Sequence, residues 1–141
     1  GIESRENYFS MPGIQAMVKY PMGSPEFTKD VLAQLLTQLV HDPANVDDEL
    51  VDERWATLET QNAHVLATMQ IPDLSDQLAS IDINTLVFWG TEDRFCPASG
   101  TWKILGMKGN VQAELVNYCG HWVMSEYPDL FNTRCLSFLS H

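Results

Sequence analysis

Asp93 and His121 are the side chains whose settings point most directly to chemistry. Asp93 stands in Gly90-Thr-Glu-Asp-Arg-Phe-Cys-Pro97 and His121 in Asn117-Tyr-Cys-Gly-His-Trp122. A serine hydroxyl is a poor nucleophile until an imidazole takes its proton, and the imidazole needs a carboxylate to fix its tautomer and stabilise its charged form. Each residue also has an ordinary reading. An aspartate in a loop bounded by glycine and proline commonly accepts hydrogen bonds from its own turn amides, and His121 can be a simple loop histidine. Together, on loops that follow successive strands, they form a candidate acid–base dyad.

The elements that must position this pair can be read from the flanking residues. Leu86-Val-Phe-Trp89, following Ile81 and Ile83, is a short apolar run bounded by turn signals, which predicts a strand covered on both faces. Gly90 lets the backbone leave the sheet sharply, and Pro97 blocks further pairing. Val111-Gln-Ala-Glu-Leu-Val116 alternates and predicts a second strand, which breaks into the histidine loop. A crossover helix fits between, within Ala98 to Met107. Strand, acid loop, helix, strand and histidine loop then make one βαβ unit, with both loops at the carboxyl edge where open α/β sheets carry their sites.

Gly90-Thr-Glu-Asp-Arg-Phe-Cys-Pro97, then Cys119-Gly-His-Trp122, then Glu126-Tyr-Pro-Asp-Leu-Phe-Asn132 and a closing helix resemble the C-terminal part of the meta-cleavage-product hydrolases. These are α/β-hydrolases that cut carbon–carbon bonds in ring-fission products of aromatic compounds. The resemblance implies that Asp93 is the triad acid and His121 the triad base, and that Phe95 and Trp122 line the substrate pocket. It also sets Arg54-Trp55 where the family carries an arginine that binds the substrate carboxylate. By composition alone, Arg54 would instead pair with neighbouring acids such as Glu53 or Glu59. In such hydrolases the serine precedes the acid, which precedes the histidine. No Gly-x-Ser-x-Gly occurs in these 141 residues: Ser24 follows Gly23 but leads into Pro25-Glu26. Cys96 stands where the family more usually has an aliphatic residue.

Composition narrows the classes further. The formal charge of -11, with 8 Lys and Arg against 19 Asp and Glu, lacks the basic footprint that nucleic acid or an anionic membrane surface requires. Cys96, Cys119 and Cys135 are an odd number without C-x-x-C spacing, which suits free thiols in a reducing compartment and predicts a cytoplasmic address. No apolar stretch approaches spanning length, and Gly-Ile-Glu-Ser-Arg-Glu is no signal peptide. His41, His64, His121 and His141 show no clustered ligand spacing, so no metal site is expected, and no organic cofactor is implied.

Taken in order, residues 1–10 read as a connection entering from something upstream. Met11 to Tyr20 predicts a short helix with Ile14, Met17 and Val18 on one face. Ser24-Pro25-Glu26 reads as a capped helix start, and the helix runs to about His41 on a stripe of Val31, Leu32, Leu35, Leu36, Leu39 and Val40. Asn45 or Asp47 caps a third helix through about Gln61, a fourth covers Asn62 to Gln70, and Pro72 to Asp76 is a linker. Pro128 opens the last helix, with Leu130, Phe131, Cys135, Phe138 and Leu139 as its buried stripe. The expected division is therefore 1–72, a helical lid, and 73–141, the C-terminal part of an α/β-hydrolase core.

The function expected is hydrolysis of 2-hydroxy-6-oxo-dienoate ring-fission products by a Ser-His-Asp mechanism, with the serine outside this chain. Another α/β-hydrolase activity, of the esterase or haloalkane dehalogenase kind, and a non-catalytic interaction role remain alternatives. Either the N-terminal half of the hydrolase or self-association is expected to cover the exposed sheet edge.

Overall fold

The computed structural model describes residues 3–68, 70 and 72–140, without the side chains of 63, 66 and 67. Two parallel strands, β1 (Thr85–Gly90) and β2 (Val111–Val116), pair in register from Thr85 opposite Val111 to Gly90 opposite Val116. A parallel pair needs a crossover, and α7 (Gly100–Leu105) lies within it. After β2 the chain forms α8 (Val123–Glu126) and α9 (Pro128–Leu139), both of which lie against β1. Pro128 occupies the first helical turn of α9, where a missing N–H costs nothing.

Before the strands the described chain is helical: α1 (Arg5–Ser10), α2 (Pro12–Lys19), α3 (Lys29–Leu36), α4 (Asp48–Glu59), α5 (Ala63–Thr68) and α6 (Ser75–Leu78). The polar start is thus partly helix. It lacks apolar periodicity and is nucleated locally, with the Ser4 side chain accepting from the Asn7 amide and Glu6 in the first turn. Asp47 caps α4 through the Leu50 amide at 2.8 Å, one of the two caps expected there.

The cap of α3 is a correction. Thr28, not Ser24, supplies it, its hydroxyl accepting from Val31 at 3.3 Å. Residues 21–27 instead make tight turns, Ser24 N–H to Pro21 and Phe27 N–H to Ser24. These bring Phe27 into a stacked contact with Trp55, ring centroids 6.4 Å apart. The helix also stops at Leu36, short of His41. Gln38 and Leu39 continue in turns by bonding back to Leu35 and Leu36, which leaves the Leu39 carbonyl to accept from outside.

Burial departs from expectation in the sheet. Thr85 to Trp89 are half-buried, and in β1 only Gly90 is buried, because the described sheet has two strands and each has one unpaired edge. The packed centre is Val116, Cys119 and Val123, with Phe88 and Tyr127 against them. In the helical part Ile14, Phe27, Leu35, Leu36, Val40 and Val51 are buried. The stripe expected on α9 is only half-covered: Phe131 meets Phe88 at 4.7 Å, Cys135 and Phe138 are half-buried, and Leu130 and Leu139 are exposed. A sheet two strands wide cannot cover a twelve-residue helix, and Arg134 uses the remaining face to pair with Glu114 of β2. No described helix is long and apolar enough to cross a membrane.

Candidate functional site

The two strand ends are bound to one another beyond the ladder. Thr91 donates its amide to Val116 and Glu92 to Cys119, each at 2.9 Å. A Cβ on Gly90 would fall 2.0 Å from the Gly120 carbonyl oxygen, so the acid loop can lie this close to the histidine loop only with glycine there. Tyr118, at φ 54°, makes the left-handed turn that leads from β2 into the histidine loop.

Asp93 emerges three residues past β1, and both of its carboxylate oxygens are engaged. Oδ1 accepts the amides of Phe95 at 2.8 Å and Cys96 at 2.9 Å, which is the turn-capping role open to it from sequence. Oδ2 faces His121 Nδ1 at 2.8 Å. The turn thus fixes the carboxylate in the orientation that the imidazole contact uses. The Asp93 side chain is 4% exposed and that of His121 37%, so a shielded acid backs a base that reaches solvent. With Nδ1–H donating to Asp93, Nε2 keeps its lone pair outward. The Asp93 hydrogen bond raises the His121 pKa above the usual 6.5, burial opposes that rise, and the carboxylate charge adds to it.

His121 is also held from the helical side. Its amide donates to Leu39 at 2.8 Å, and that of Trp122 to the same carbonyl at 3.3 Å, on the segment where α3 unwinds. Glu126 is a residue that sequence reasoning missed. Its Oε1 accepts the Gly120 amide at 2.6 Å and its Oε2 the His41 amide at 2.7 Å, so one carboxylate ties the histidine loop to the end of the helical part. The available signal was an acid one turn past a glycine-histidine loop, ahead of Pro128.

Of the other three candidates, Phe95 lies against His121, and Arg54 lies over Trp122. The Phe95 ring lies 5.7 Å from that of His121, and its edge packs where a Cβ on Gly13 would clash at 2.6 Å. Arg54, exposed on α4, sets its guanidinium 5.4 Å from the centre of the Trp122 ring, a cation–π placement rather than pairing with Glu53 or Glu59. Trp55 turns its N–H to Glu59 at 3.1 Å. Two surface clefts, one lined by Asn84, Arg134 and Phe138 and one by His41, Tyr118 and Tyr127, lie away from Asp93.

Histidine spacing revealed no metal ligand set, and His141 lies outside the described residues. Across the two loops, however, Asp93, Cys96 and His121 bring donor atoms within 4.8 Å of one another. Burial, then Asp93, then Glu3, push the Cys96 thiol up to about 11, so it is not a ready nucleophile at neutral pH. Cys119 is pushed up to about 12, first by burial and then by Glu126.

No family model matches the chain. It is 32% identical, over 96% of its length, to the 2-hydroxy-6-oxo-6-phenylhexa-2,4-dienoate hydrolase of Burkholderia cepacia, covering 49% of that protein. It is 32% identical over 93% of its length to a 2-hydroxy-6-oxononadienedioate/2-hydroxy-6-oxononatrienedioate hydrolase of Comamonas testosteroni, covering 48%. Among solved structures, a mutant meta-cleavage product hydrolase from Pseudomonas fluorescens complexed with acetates superposes with a TM-score of 0.74 at 22% identity, over 92% of this chain and 50% of that one. The 2-hydroxy-6-oxo-6-phenylhexa-2,4-dienoate hydrolase of Rhodococcus sp. superposes at 0.69 and 18% identity, over 100% of this chain and 52% of that one. The chain therefore has the α/β-hydrolase fold over the part it covers and is related by sequence to these hydrolases. It spans about half the length of the curated relatives it matches.

Proposed function

We propose that this chain, a relative of the 2-hydroxy-6-oxo-dienoate hydrolases, supplies the acid, the base and the lid of an enzyme that hydrolyses a carbon–carbon bond in dienoate ring-fission products of aromatic compounds. The observation that carries the proposal is the His121–Asp93 contact of 2.8 Å at adjacent parallel strand ends, in a chain related to proteins named for that substrate class. Asp93 holds the imidazole. His121 Nε2 then takes a proton from a serine or a water and returns it to the substrate carbon or leaving group. The serine comes from a part of the enzyme outside these 141 residues.

Residues 1–72 act as the lid and 73–141 as part of the core in this reading. Arg54, steadied over Trp122, receives the substrate carboxylate, and Phe95 and Trp122 form apolar walls. No group beyond these side chains and the serine is invoked. A cytoplasmic setting fits the three free cysteines.

The test is loss of the dienoate chromophore, followed with the nucleophile-bearing part present. Asp93→Asn should lower kcat by about 10³–10⁴-fold, the loss expected when a triad imidazole takes the wrong tautomer. Arg54→Ala should raise KM for dienoates and leave a neutral ester untouched. Equal effects on both substrates would remove Arg54 from the pocket and favour an esterase, and an inert Asp93→Asn substitution would favour a non-catalytic role.

A further inference from the structure

We propose that Asp93, Cys96 and His121 form a binding site for a thiophilic divalent cation of the zinc type, built on the same two loops as the dyad. A carboxylate oxygen, the Sγ atom and an imidazole nitrogen lie within 4.8 Å of one another. Tetrahedral zinc, with bonds of about 2.0–2.3 Å, holds its donors roughly 3.3–3.8 Å apart. Small side-chain rotations therefore bring all three to one ion, and solvent can fill the fourth position. One thiolate, one imidazole and one carboxylate suit zinc or cobalt, whereas magnesium and calcium require oxygen donors throughout.

The donors are held from behind. The Phe95 and Cys96 amides fix Asp93 through Oδ1, so that Oδ2 faces His121 Nδ1 at 2.8 Å, and an ion between the two takes the place of the hydrogen there. The Cys96 carbonyl accepts the indole N–H of Trp89 at 3.0 Å, which anchors the backbone at the sulfur ligand. Such outer partners orient ligands and strengthen metal sites. The Asp93 side chain is 4% exposed and that of His121 37%, so an ion would enter from the histidine side.

Charge favours the cation as well. Glu3 pairs with Lys103 through Oε2, while its Oε1 is buried without a hydrogen-bond partner. A divalent ion bound at the sulfur supplies the positive charge that lets it ionise against its burial, the thiol proton passing to solvent. Where the ion takes His121 Nδ1, the hydrogen there is lost and Nε2 carries one instead, so the ring stays neutral. A consequence that rests on the proposed function is inhibition, because Nε2 then has no lone pair for a proton from serine or water.

The test uses cobalt(II) as a spectroscopic probe on the intact protein, with a phosphine reductant. A sulfur-to-cobalt charge-transfer band in the near ultraviolet, displaced by zinc, is the expected result. Cys96→Ser should abolish the band and weaken zinc binding by more than about tenfold, the least that losing even an outer partner costs, while Cys135→Ser keeps both. Absence of the band in the wild type, or its survival in Cys96→Ser, overturns the site. As a check that needs no variant, zinc should slow iodoacetamide alkylation of Cys96, read by peptide mass spectrometry; an unchanged rate at saturating zinc overturns the proposal. Neither readout depends on hydrolysis, so failure here is distinct from failure of the proposed activity.

Discussion

A single aspartate does two jobs at once at the dyad. Asp93 caps its own turn with Oδ1 and faces the imidazole with Oδ2, so the turn cap and the imidazole contact share one side chain. This has a consequence for pH. Because the Asp93 hydrogen bond raises the His121 pKa above 6.5, the native state binds that proton more tightly than the unfolded chain does. The stabilisation is complete below the unfolded value and is lost as pH rises through the raised native value. Activity that needs a neutral base runs the other way, falling on the acid side at a pH above 6.5. Ring NMR titration should show Asp93→Asn moving the His121 midpoint down; identical titrations in the two proteins would remove the carboxylate as the cause.

At the scale of elements, the dyad depends on two loops and one unwound helix end being locked together. Gly90 permits the close approach, Leu39 takes two amides from the histidine loop, and Glu126 clamps Gly120 to His41. Hydrogen bonds to a charged acceptor are worth about 1.5–3 kcal/mol each, and partial exposure of Glu126 reduces this. Glu126→Ala should therefore lower stability by about 1–3 kcal/mol in urea unfolding, with Glu126→Gln recovering part of the loss. Slackening of the loop should also carry the His121 titration midpoint back toward the ordinary value. Lowered stability with an unmoved imidazole would make Glu126 a brace for the fold and nothing more.

For the whole molecule, coverage is the governing fact. Among the described residues both strands have an unpaired edge, Thr85 to Trp89 of β1 are half-buried, and Ile83, Trp102, Leu115 and Leu139 are exposed. Apolar surface of this kind favours association, and in the proposed function the nucleophile-bearing part supplies it. Native and denatured intact masses should show either a second chain carrying Gly-x-Ser-x-Gly or self-association of this one. The 141-residue chain by itself is expected to give no dienoate turnover. Turnover from it alone would mean that the serine mechanism is wrong.

The parts of this protein legible in its sequence are those that local chemistry decides. Apolar β-formers ending at Gly90 and Val116 marked both strands, Asp47 marked a helix start and Pro128 another. The residues of the dyad were legible too, because glycine-bounded loops after successive strands can be recognised without knowing any contact. Only the tertiary structure decided where α3 ends, since its last turns yield to hydrogen bonds from a loop some 80 residues away. The same holds for Glu126 and for the meeting of Asp93, Cys96 and His121, which join positions far apart in the chain. Periodicity assigns a face to each helix and strand; which neighbour covers that face is settled by packing, and here packing leaves much of the sheet half-covered.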